Sequence, residues 1–586
     1  MTTISITGFS STDKVPQFFG ETLTGQGAQS VISQPMTVLC IGISSSSAAN
    51  LQNSQVYPIQ STADADNFGM GQQVARMLYA ALRIPNANVY GIGVPAASGA
   101  VAATAVISVS GTWTTLGQIG YRINGEVRTI TVLPGDTPST VATNIVNDVN
   151  SQIRWPVTAA SAQLGSTGVY HVTLTDKTAG TGGNQRVIFI DTSKVPSGFA
   201  GSLIADNLGT IPATTWQAST AYATGAQIQP TVANGYWYRA TTGGTSAASP
   251  QPTWPTTVGT TVTDNTVTWT CEGPVLTGGA ITFTNGSGAE SYSTALLTLA
   301  NTQFDRIASG ANDATNLGLL KTQVDSQAGP VQNIIGQVIV ATNASGSLSA
   351  IAQTALNDVR FQLLRELNAE THPCEIAASF ASARSSFEGS NWAQQYDNFV
   401  LLGVAPQSQP ADVPNHASLV ADLNAGITPV TTVNGQAVVV RSIVTHSLNG
   451  SYADYSTLDT SDLTVPDQVR RDIALYWYSY FKPNNPVCQA DPPISASGAI
   501  APFPPTGVAT PGIWNQQVVT KLMSYERGDG FPSPQVQQGS TAANPPQSGF
   551  DYVRKCIMTA CPVVPIAGNH QVGVSVRGTV MAPPQS

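Results

Sequence analysis

The feature that most constrains the fold is an apolar helical face lying between two short apolar runs. Residues at the spacing of one helical face are all apolar: Val74, Met77, Leu78, Ala81 and Leu82. Pro85 ends that helix, and the apolar runs at 36–43 and 89–94 are typical of buried strands. Strand, helix and strand open an α/β layer. The pattern stops at Pro95 and returns near Tyr292, so we predict that the residues between are an insertion.

The 586-residue chain is poor in charge, which bears on its partners. Charged residues make up 10% of it, against about 25% in an average soluble domain. Such a surface favours packing against other copies, although a secreted β-rich protein with a Ser/Thr surface is the alternative. The net charge is −9 without a Lys/Arg cluster, so we expect no nucleic-acid partner. Neither a membrane span nor a signal peptide is predicted.

The six cysteines do not form a metal-binding pattern. They are Cys40, Cys271, Cys374, Cys488, Cys556 and Cys561. No Cys-x-x-Cys pair occurs and no histidine lies at zinc-finger spacing, so we predict no metal and no cofactor. Cys40 lies in a predicted buried strand. For Cys488, a free thiol and a disulfide between subunits both stay open.

Both ends of the chain carry alternating segments with no partner nearby in sequence. Residues 2–7 alternate, with Ile4 and Ile6 on one face. Residues 571–581 also alternate, with Val572, Val574 and Val576 on one face. These strands either pair with the sheets of other subunits or form the edges of their own sheet.

The predicted insertion has β character and contains a nested segment rich in Trp and Tyr. Asn124-Gly125 predicts a type I′ hairpin turn. Val141, Ile145 and Val149 predict a helix, and the Gly-rich loop 177–184 lacks the Lys of a phosphate-binding loop. Residues 213–274 resemble small chitin-binding-like β modules. In that segment Trp237, Tyr238 and Trp254 either face a glycan or form the core of the module.

After Tyr292 the α/β pattern returns. We predict helices at 293–299, 316–327, 347–367, within 410–425, at 466–481 and at 514–527. We predict strands at 304–308, 338–341, 374–378, 398–404, 431–433 and 437–443, the last two joined by a turn at Asn434-Gly435.

The order of several segments resembles the contractile-tail sheath proteins of Mu-like bacteriophages. These segments are 60–78, with Phe-Gly before a helix that carries Ala-Arg-Met, 121–150 with Asn124-Gly125, 174–184, 441–446 and 510–530. The resemblance covers most of the chain outside 213–274.

This resemblance implies a fold and an assembly. The fold would be α/β (α+β overall): a subtilisin-like sheath core, split by a β-rich inserted domain, with N- and C-terminal arms that pair with neighbouring subunits. The subunits would form a homo-oligomer of stacked six-fold rings around the tail tube protein, together with baseplate and tail terminator proteins. The assembly would be located in the virion after forming in the host cytoplasm. Its contraction would drive the tube through the bacterial envelope for genome ejection.

The expected order of domains follows from the resemblance and the pattern changes. We predict an arm (1–30), the first part of the core (31–100), the β-rich insertion (101–212), the nested module (213–274), the second part of the core (275–455), a C-terminal sheath domain (456–570) and an arm (571–586).

An enzyme is not expected, although one segment imitates a catalytic motif. Residues 244–250 read Gly-Thr-Ser-Ala-Ala-Ser-Pro, like the segment around a subtilase serine. The segment lies in the nested module, and no histidine occurs in the context that a Ser-His-Asp triad needs. We therefore predict a structural virion protein with no catalytic residues. The alternative is a surface protein that binds glycan through 213–274.

Overall fold

The structure is a computed structural model. It describes residues 36–52, 55–109, 116–163, 170–191, 203–206, 215–232, 234, 236–257, 259–274, 280–329, 332, 334–344, 356–389, 391–392, 394–407, 412–454, 457–476, 479–480, 482–484, 487–488, 508–509, 517, 563–566 and 569–572.

The first elements form the predicted α/β opening. They are β1 (Thr37–Ile43), β2 (Tyr57–Ile59), α1 (Thr62–Asp66), α2 (Gln73–Ala81) and β3 (Asn88–Val94). All nine residues of α2 are buried, and six of the seven residues of β1 are buried. The predicted helix and both flanking strands are confirmed.

The chain then leaves this sheet and builds the inserted β region, which we define as residues 101–206 together with 280–288. Its elements are β4 (Ala102–Val109), β5 (Gly117–Ile123), β6 (Glu126–Val132), α3 (Pro138–Ser151), β7 (Val157–Gln163), β8 (Tyr170–Ala179), β9 (Val187–Asp191) and β10 (Leu203–Asp206). The predicted hairpin is confirmed, because Asn124 and Gly125 join β5 to β6 with φ of 56° and 75°. The predicted α3 is confirmed too, with Val141, Ile145 and Val149 buried.

Residues 215–274, which we call the aromatic module, follow within this insertion. Its strands are β11 (Ala221–Tyr222), β12 (Gln227–Ile228), β13 (Tyr236–Thr242), β14 (Gly244–Thr245), β15 (Thr261–Asp264) and β16 (Val267–Pro274). They form a four-stranded sheet, β12-β13-β16-β15, and a two-stranded sheet, β11-β14. Strand β17 (Ala280–Thr282) then returns to the inserted β region and pairs with β9.

The chain re-enters the large sheet after Tyr292. Its elements are α4 (Ser293–Thr298), β18 (Arg306–Ser309), α5 (Ala314–Gln327), β19 (Gln337–Thr342), β20 (Phe361–Arg365), α6 (Pro373–Glu388), β21 (Phe399–Val400), α7 (His416–Asn424), β22 (Thr428–Val433) and β23 (Gln436–Val439). The remaining elements are β24 (Leu448–Asn449), β25 (Tyr452–Ala453), α8 (Thr460–Tyr476), α9 (Lys482–Asn484), β26 (Val487–Cys488), β27 (Val508–Ala509), β28 (Val563–Ile566) and β29 (Asn569–Val572).

Two of the predicted elements are wrong. The helix expected at 347–367 contains strand β20, because its Phe-Gln-Leu-Leu-Arg run is buried on both faces and its polar side chains have partners there. The strand expected at 374–378 lies in helix α6, which His372 caps and Pro373 begins. The strand expected at 398–404 is reduced to the two residues of β21. The helix expected at 514–527 lies outside the described residues, apart from Gln517.

The large sheet is mixed and has nine strands in the order β2-β3-β1-β18-β19-β20-β22-β23-β21. Six consecutive strands, from β3 to β22, are parallel. Numbered along the chain, these six lie in the order 2-1-3-4-5-6, which begins like the 2-1-3-4-5 order of doubly wound sheets.

Helices cover both faces of this sheet. On one face Val38 and Cys40 pack with α2 and α6. On the other face Leu39 and Ile41 pack with α4 and α5. Because alternate residues of one strand enter different cores, the sheet is buried on both sides. The inserted β region has its own core, formed by its two four-stranded sheets and α3.

The described residues from 36 to 389 and from 394 to 463 form one compact unit. Those from 464 to 572, together with 391 and 392, belong to a second unit. In the second unit, Tyr476 donates a hydrogen bond of 2.8 Å to Oε1 of Gln517, and β28 pairs with β29 in an antiparallel hairpin.

Candidate functional site

The natural place for a site in this fold is the edge of the large sheet where the parallel strands end. In open α/β sheets, ligands bind outside the carboxyl ends of the strands, where the strand order reverses. Here that point lies between β1 and β18, which continue into Ser44 and Gly310. Helices α2, α5 and α6 all begin near this edge.

The amide of Gln73, the first residue of α2, occupies this reversal point. Its Oε1 accepts a hydrogen bond of 2.8 Å from the backbone N–H of Ile43. Its Nε2 donates one of 2.9 Å to the carbonyl of Gly310. The side chain thus bridges β1 and β18, and Gln73 is only 3% exposed. A Cβ at Gly310 would lie 2.9 Å from the Gln73 amide, so this close approach requires glycine there.

The inserted β region supplies the next layer of polar groups. Gln185 and Asn312 exchange two amide hydrogen bonds of 2.9 Å. Asn343, which follows β19, donates from Nδ2 to the carbonyl of Gln185 at 2.6 Å. The hydroxyl of Thr178 accepts a hydrogen bond of 2.9 Å from the backbone N–H of Gln73. The crevice is therefore filled by the protein's own amides and backbone, not left open for a ligand.

His372 and Cys374 form a pair that resembles a catalytic dyad but lies sealed in this interface. Nε2 of His372 lies 2.9 Å from the carbonyl of Gly182, which only accepts, so Nε2 carries the proton. Nδ1 then accepts from the Cys374 thiol, whose Sγ lies 3.0 Å away.

Burial keeps both members of this pair neutral. Burial, together with the nearby Arg186, lowers the pKa of His372 to about 4. Burial also raises the pKa of the Cys374 thiol well above its ordinary value. A thiol that is neutral and shielded from solvent is neither a nucleophile nor a metal ligand.

Ion pairs centred on the buried Arg76 join the inserted β region to the helices of the large sheet. Arg76 on α2 contacts both oxygens of Glu375 on α6 at 3.0 Å and Glu126 on β6 at 2.9 Å. Trp155 also donates to Glu126, at 2.5 Å. Arg76 and Glu375 are almost fully buried. Such pairs hold two bodies in one relative position, because a partner left alone would be a buried, unpaired charge.

The loop 366–372 carries a second group of buried charges. Arg122 of β5 binds Oε1 of Glu370 at 2.8 Å. Arg186 binds Asp176 at 2.7 Å within the inserted β region, and its Nη1 donates to Asn124.

In contrast, both carboxylate oxygens of Glu366 lack a hydrogen-bond partner although the residue is fully buried. Burial and the nearby Glu370 raise the pKa of Glu366 to about 8.

The segment that imitates a subtilase serine does not form a catalytic group. The hydroxyl of Ser246 donates to the carbonyl of Gln217 at 2.7 Å and accepts from the N–H of Thr220 at 3.0 Å. Ser246 is 2% exposed. These backbone contacts hold a loop of the aromatic module in place.

The sequence left two alternatives open for Trp237, Tyr238 and Trp254, a surface that faces a glycan or the core of the module, and all three are buried. Trp237, Tyr238 and Trp254 are 1%, 0% and 9% exposed. The rings of Tyr238 and Trp254 pack with centroids 4.4 Å apart, and the Tyr238 hydroxyl donates to the carbonyl of Pro255. A module this small has few other side chains with which to build a core. The rings are therefore its interior and offer no face on which a sugar can stack.

The residues expected in the arms are largely outside the described part of the chain. Ile4, Ile6, Val574 and Val576 all lie there. Val572 is described, and its backbone pairs with Val563 in the β28–β29 hairpin. One edge of that strand is therefore used within its own chain, and the lending of these strands to other subunits stays a prediction.

The described ranges contain no group of three or more His, Cys, Asp or Glu side chains that could hold a metal ion. In the same ranges, no helix has the length and apolarity needed to cross a membrane. Cys40 and Cys374 are buried, and the question of a disulfide at Cys488 stays open.

The sequence patterns did not single out the residues that fill the crevice. Gln73 and Arg76 lie in the segment compared with sheath proteins, but no role was predicted for either. One signal was present: two polar residues occur in a short helix that is otherwise apolar and flanked by buried strands.

Comparisons with known proteins were made at three levels. No protein-family model matches the chain, and no curated protein matches it. Among solved structures, the chain is similar to a sheath tail protein from Desulfitobacterium hafniense, at 10% identity and a TM-score of 0.36 over 87% of this chain and 89% of that one. It is also similar to a sheath tail protein from Listeria innocua, at 11% identity and a TM-score of 0.33 over 75% and 76%. With TM-scores this low, neither match carries an argument about this chain.

Proposed function

We propose that the chain is a structural subunit of a contractile phage tail, and that it forms the sheath. The observation that carries the structural role is the occupied crevice: Gln73 and the inserted β region fill the place where an α/β enzyme would bind its substrate. The sheath assignment itself rests on the ordered sequence segments that resemble sheath proteins and on the charge-poor composition.

The physical logic of such a subunit suits the interface described above. A sheath that shortens must rotate its subunits as rigid bodies while keeping them connected. The buried pairs between Arg76, Glu375 and Glu126, with the amide layer around Gln73, make the sheet and the inserted β region one stiff body. Flexible connections would then lie between subunits, where strands 2–7 and 571–581 would be added to neighbouring sheets through backbone hydrogen bonds.

The finer features belong to the same proposal. Subunits would stack as six-fold rings around the tail tube protein, bounded by baseplate and terminator proteins, in the virion after assembly in the host cytoplasm. Contraction would drive the tube through the envelope. The core would be subtilisin-like, with the arms, core parts, insertion and nested module at the boundaries given from the sequence. The aromatic module would lie on the outside of the assembly, and it would not bind a glycan at Trp237 or Trp254.

The test is assembly of the purified full-length chain compared with chains that lack residues 1–20 or 571–586. Negative-stain microscopy should show tubes for the full chain and soluble subunits for both truncated chains. A matched pair of point variants separates strand pairing from chain length: Ile4→Pro with Ile6→Pro should abolish tubes, and Ser10→Pro with Ser11→Pro should not. Normal tubes from either truncated chain would refute the arm mechanism.

A further inference from the structure

A small cavity lies between α2 and the inserted β region, on the outer side of the ion pairs described above. Its volume is about 300 Å³, near the lower end of the range for ligand sites. Its polar lining residues are Thr62, Arg76, Tyr79, Arg83, Glu126 and Arg154. Three guanidinium groups and one carboxylate therefore line a single cavity.

Two of these guanidinium groups already bind carboxylates, of which Glu126 alone lines the cavity. Arg154 binds Asp66 through Nε and Nη2 at 3.0 and 2.7 Å. Arg76 binds Glu375, which does not line the cavity, and Glu126, which does. The cavity wall is consequently richer in hydrogen-bond donors than in acceptors, since Glu126 is the one acidic lining residue.

Unlike Arg76 and Arg154, Arg83 forms no ion pair with a carboxylate of the described residues. Its Nη1 donates to the carbonyl of Gly403 at 2.7 Å, which leaves Nε and Nη2 available as donors. Its side chain packs against Gly403, where an added Cβ would lie 2.5 Å from Cδ of Arg83. The guanidinium is therefore held in place while its charge stays available.

We propose that this cavity receives a carboxylate side chain, Asp or Glu, from a second copy of this chain; this rests on the proposed homo-oligomer. A carboxylate matches Nε and Nη2 of Arg83 in geometry and charge, whereas the same two groups of Arg154 already bind Asp66. The chain has 33 acidic and 24 basic residues, so copies repel each other overall. Most basic side chains described above are already paired internally. A contact that brings an acidic side chain to Arg83 turns part of that repulsion into attraction.

The test measures the critical concentration for polymerisation of the full chain by pelleting and by sedimentation velocity. The variants are wild type, Arg83→Gln and Arg83→Lys, with circular dichroism to show that each is folded. Arg83→Gln should raise the critical concentration roughly three- to tenfold, and Arg83→Lys, which keeps the charge, should raise it less. Raising NaCl should weaken wild-type assembly more than that of Arg83→Gln.

The outcomes separate this inference from the proposed function. If wild type polymerises and Arg83→Gln has the same critical concentration and salt dependence, the carboxylate contact is wrong and the sheath proposal stands. If wild type does not associate at all, both are wrong. Sodium acetate should inhibit assembly more than sodium chloride at equal ionic strength. If inorganic phosphate inhibits it more strongly than acetate, the cavity takes a phosphate group and the contact between copies is wrong.

Discussion

Glu366 makes the stability of the fold depend on pH in a direction opposite to that of most carboxylates. Its carboxyl group is fully buried without a hydrogen-bond partner, so the charged form is disfavoured. The pKa rises from 4.5 to about 8. Between these values the unfolded chain loses the proton and the folded protein keeps it, so stability falls as pH rises through this window. At 1.4 kcal/mol per pH unit the loss amounts to about 5 kcal/mol, as an upper estimate.

Glu366→Gln tests this directly. The variant is uncharged at every pH. Above pH 8 its free energy of unfolding should therefore exceed that of wild type by a few kcal/mol, and it should unfold at a higher denaturant concentration. At pH 5 the two should be close, with the variant lower by about 1 kcal/mol because its amide N–H groups lack acceptors. Urea unfolding followed by tryptophan fluorescence at pH 5 to 9 measures the difference between the two chains, which cancels contributions from other titrating groups.

A matched control is Glu370→Gln, which weakens the ion pair with Arg122. It should destabilise the protein because Arg122 loses its charged partner, and it should weaken the pH dependence without abolishing it, because burial of Glu366 remains while the nearby charge is removed. An identical pH dependence for wild type and Glu366→Gln would refute the account of Glu366 as a neutral, buried acid.

Four further predictions concern residues at the interface and, as a control, Gly318 in α5. Arg76→Met should lower the free energy of unfolding by about 3–5 kcal/mol, because it leaves the buried carboxylate of Glu375 unpaired; a loss below about 1 kcal/mol in urea unfolding would contradict this. Gly310→Ala should destabilise by about 1–3 kcal/mol, since its Cβ would meet Gln73 at 2.9 Å. Gly318→Ala in α5, where a Cβ meets nothing within 4 Å, should instead stabilise by about 0.5–1 kcal/mol in the same assay. Cys374 should react with a thiol reagent only as fast as the protein opens, so fast labelling under native conditions would show that the pair with His372 is accessible.

Local signals that act within a few residues predicted most of the observed elements. Asn124-Gly125 and Asn434-Gly435 specify their turns because both residues adopt positive φ. The sequence pattern does not indicate the strand at 361–365, because Leu363 continues an apolar helical period and the partners that keep its polar neighbours buried lie far away in sequence. One such partner is Asp422, which binds Arg365. A strand buried on both faces has no alternation to identify it.

The site was less predictable than the fold, for a related reason. Gln73 bridges Ile43 and Gly310, which are 30 and 237 residues away along the chain. Its role follows only from the order of strands in the sheet. The burial of Trp237 and Trp254 was one of two alternatives that the aromatic spacing left open, and packing around a small core decides between them.

The most direct test of the central claim is a cryo-electron microscopy map of the assembled full-length chain. The account predicts a helical tube in which residues 2–7 and 571–581 of each subunit lie as strands on the sheets of neighbouring subunits. A map in which both segments fold back onto their own subunit, or particles without ring or helical symmetry, would contradict it.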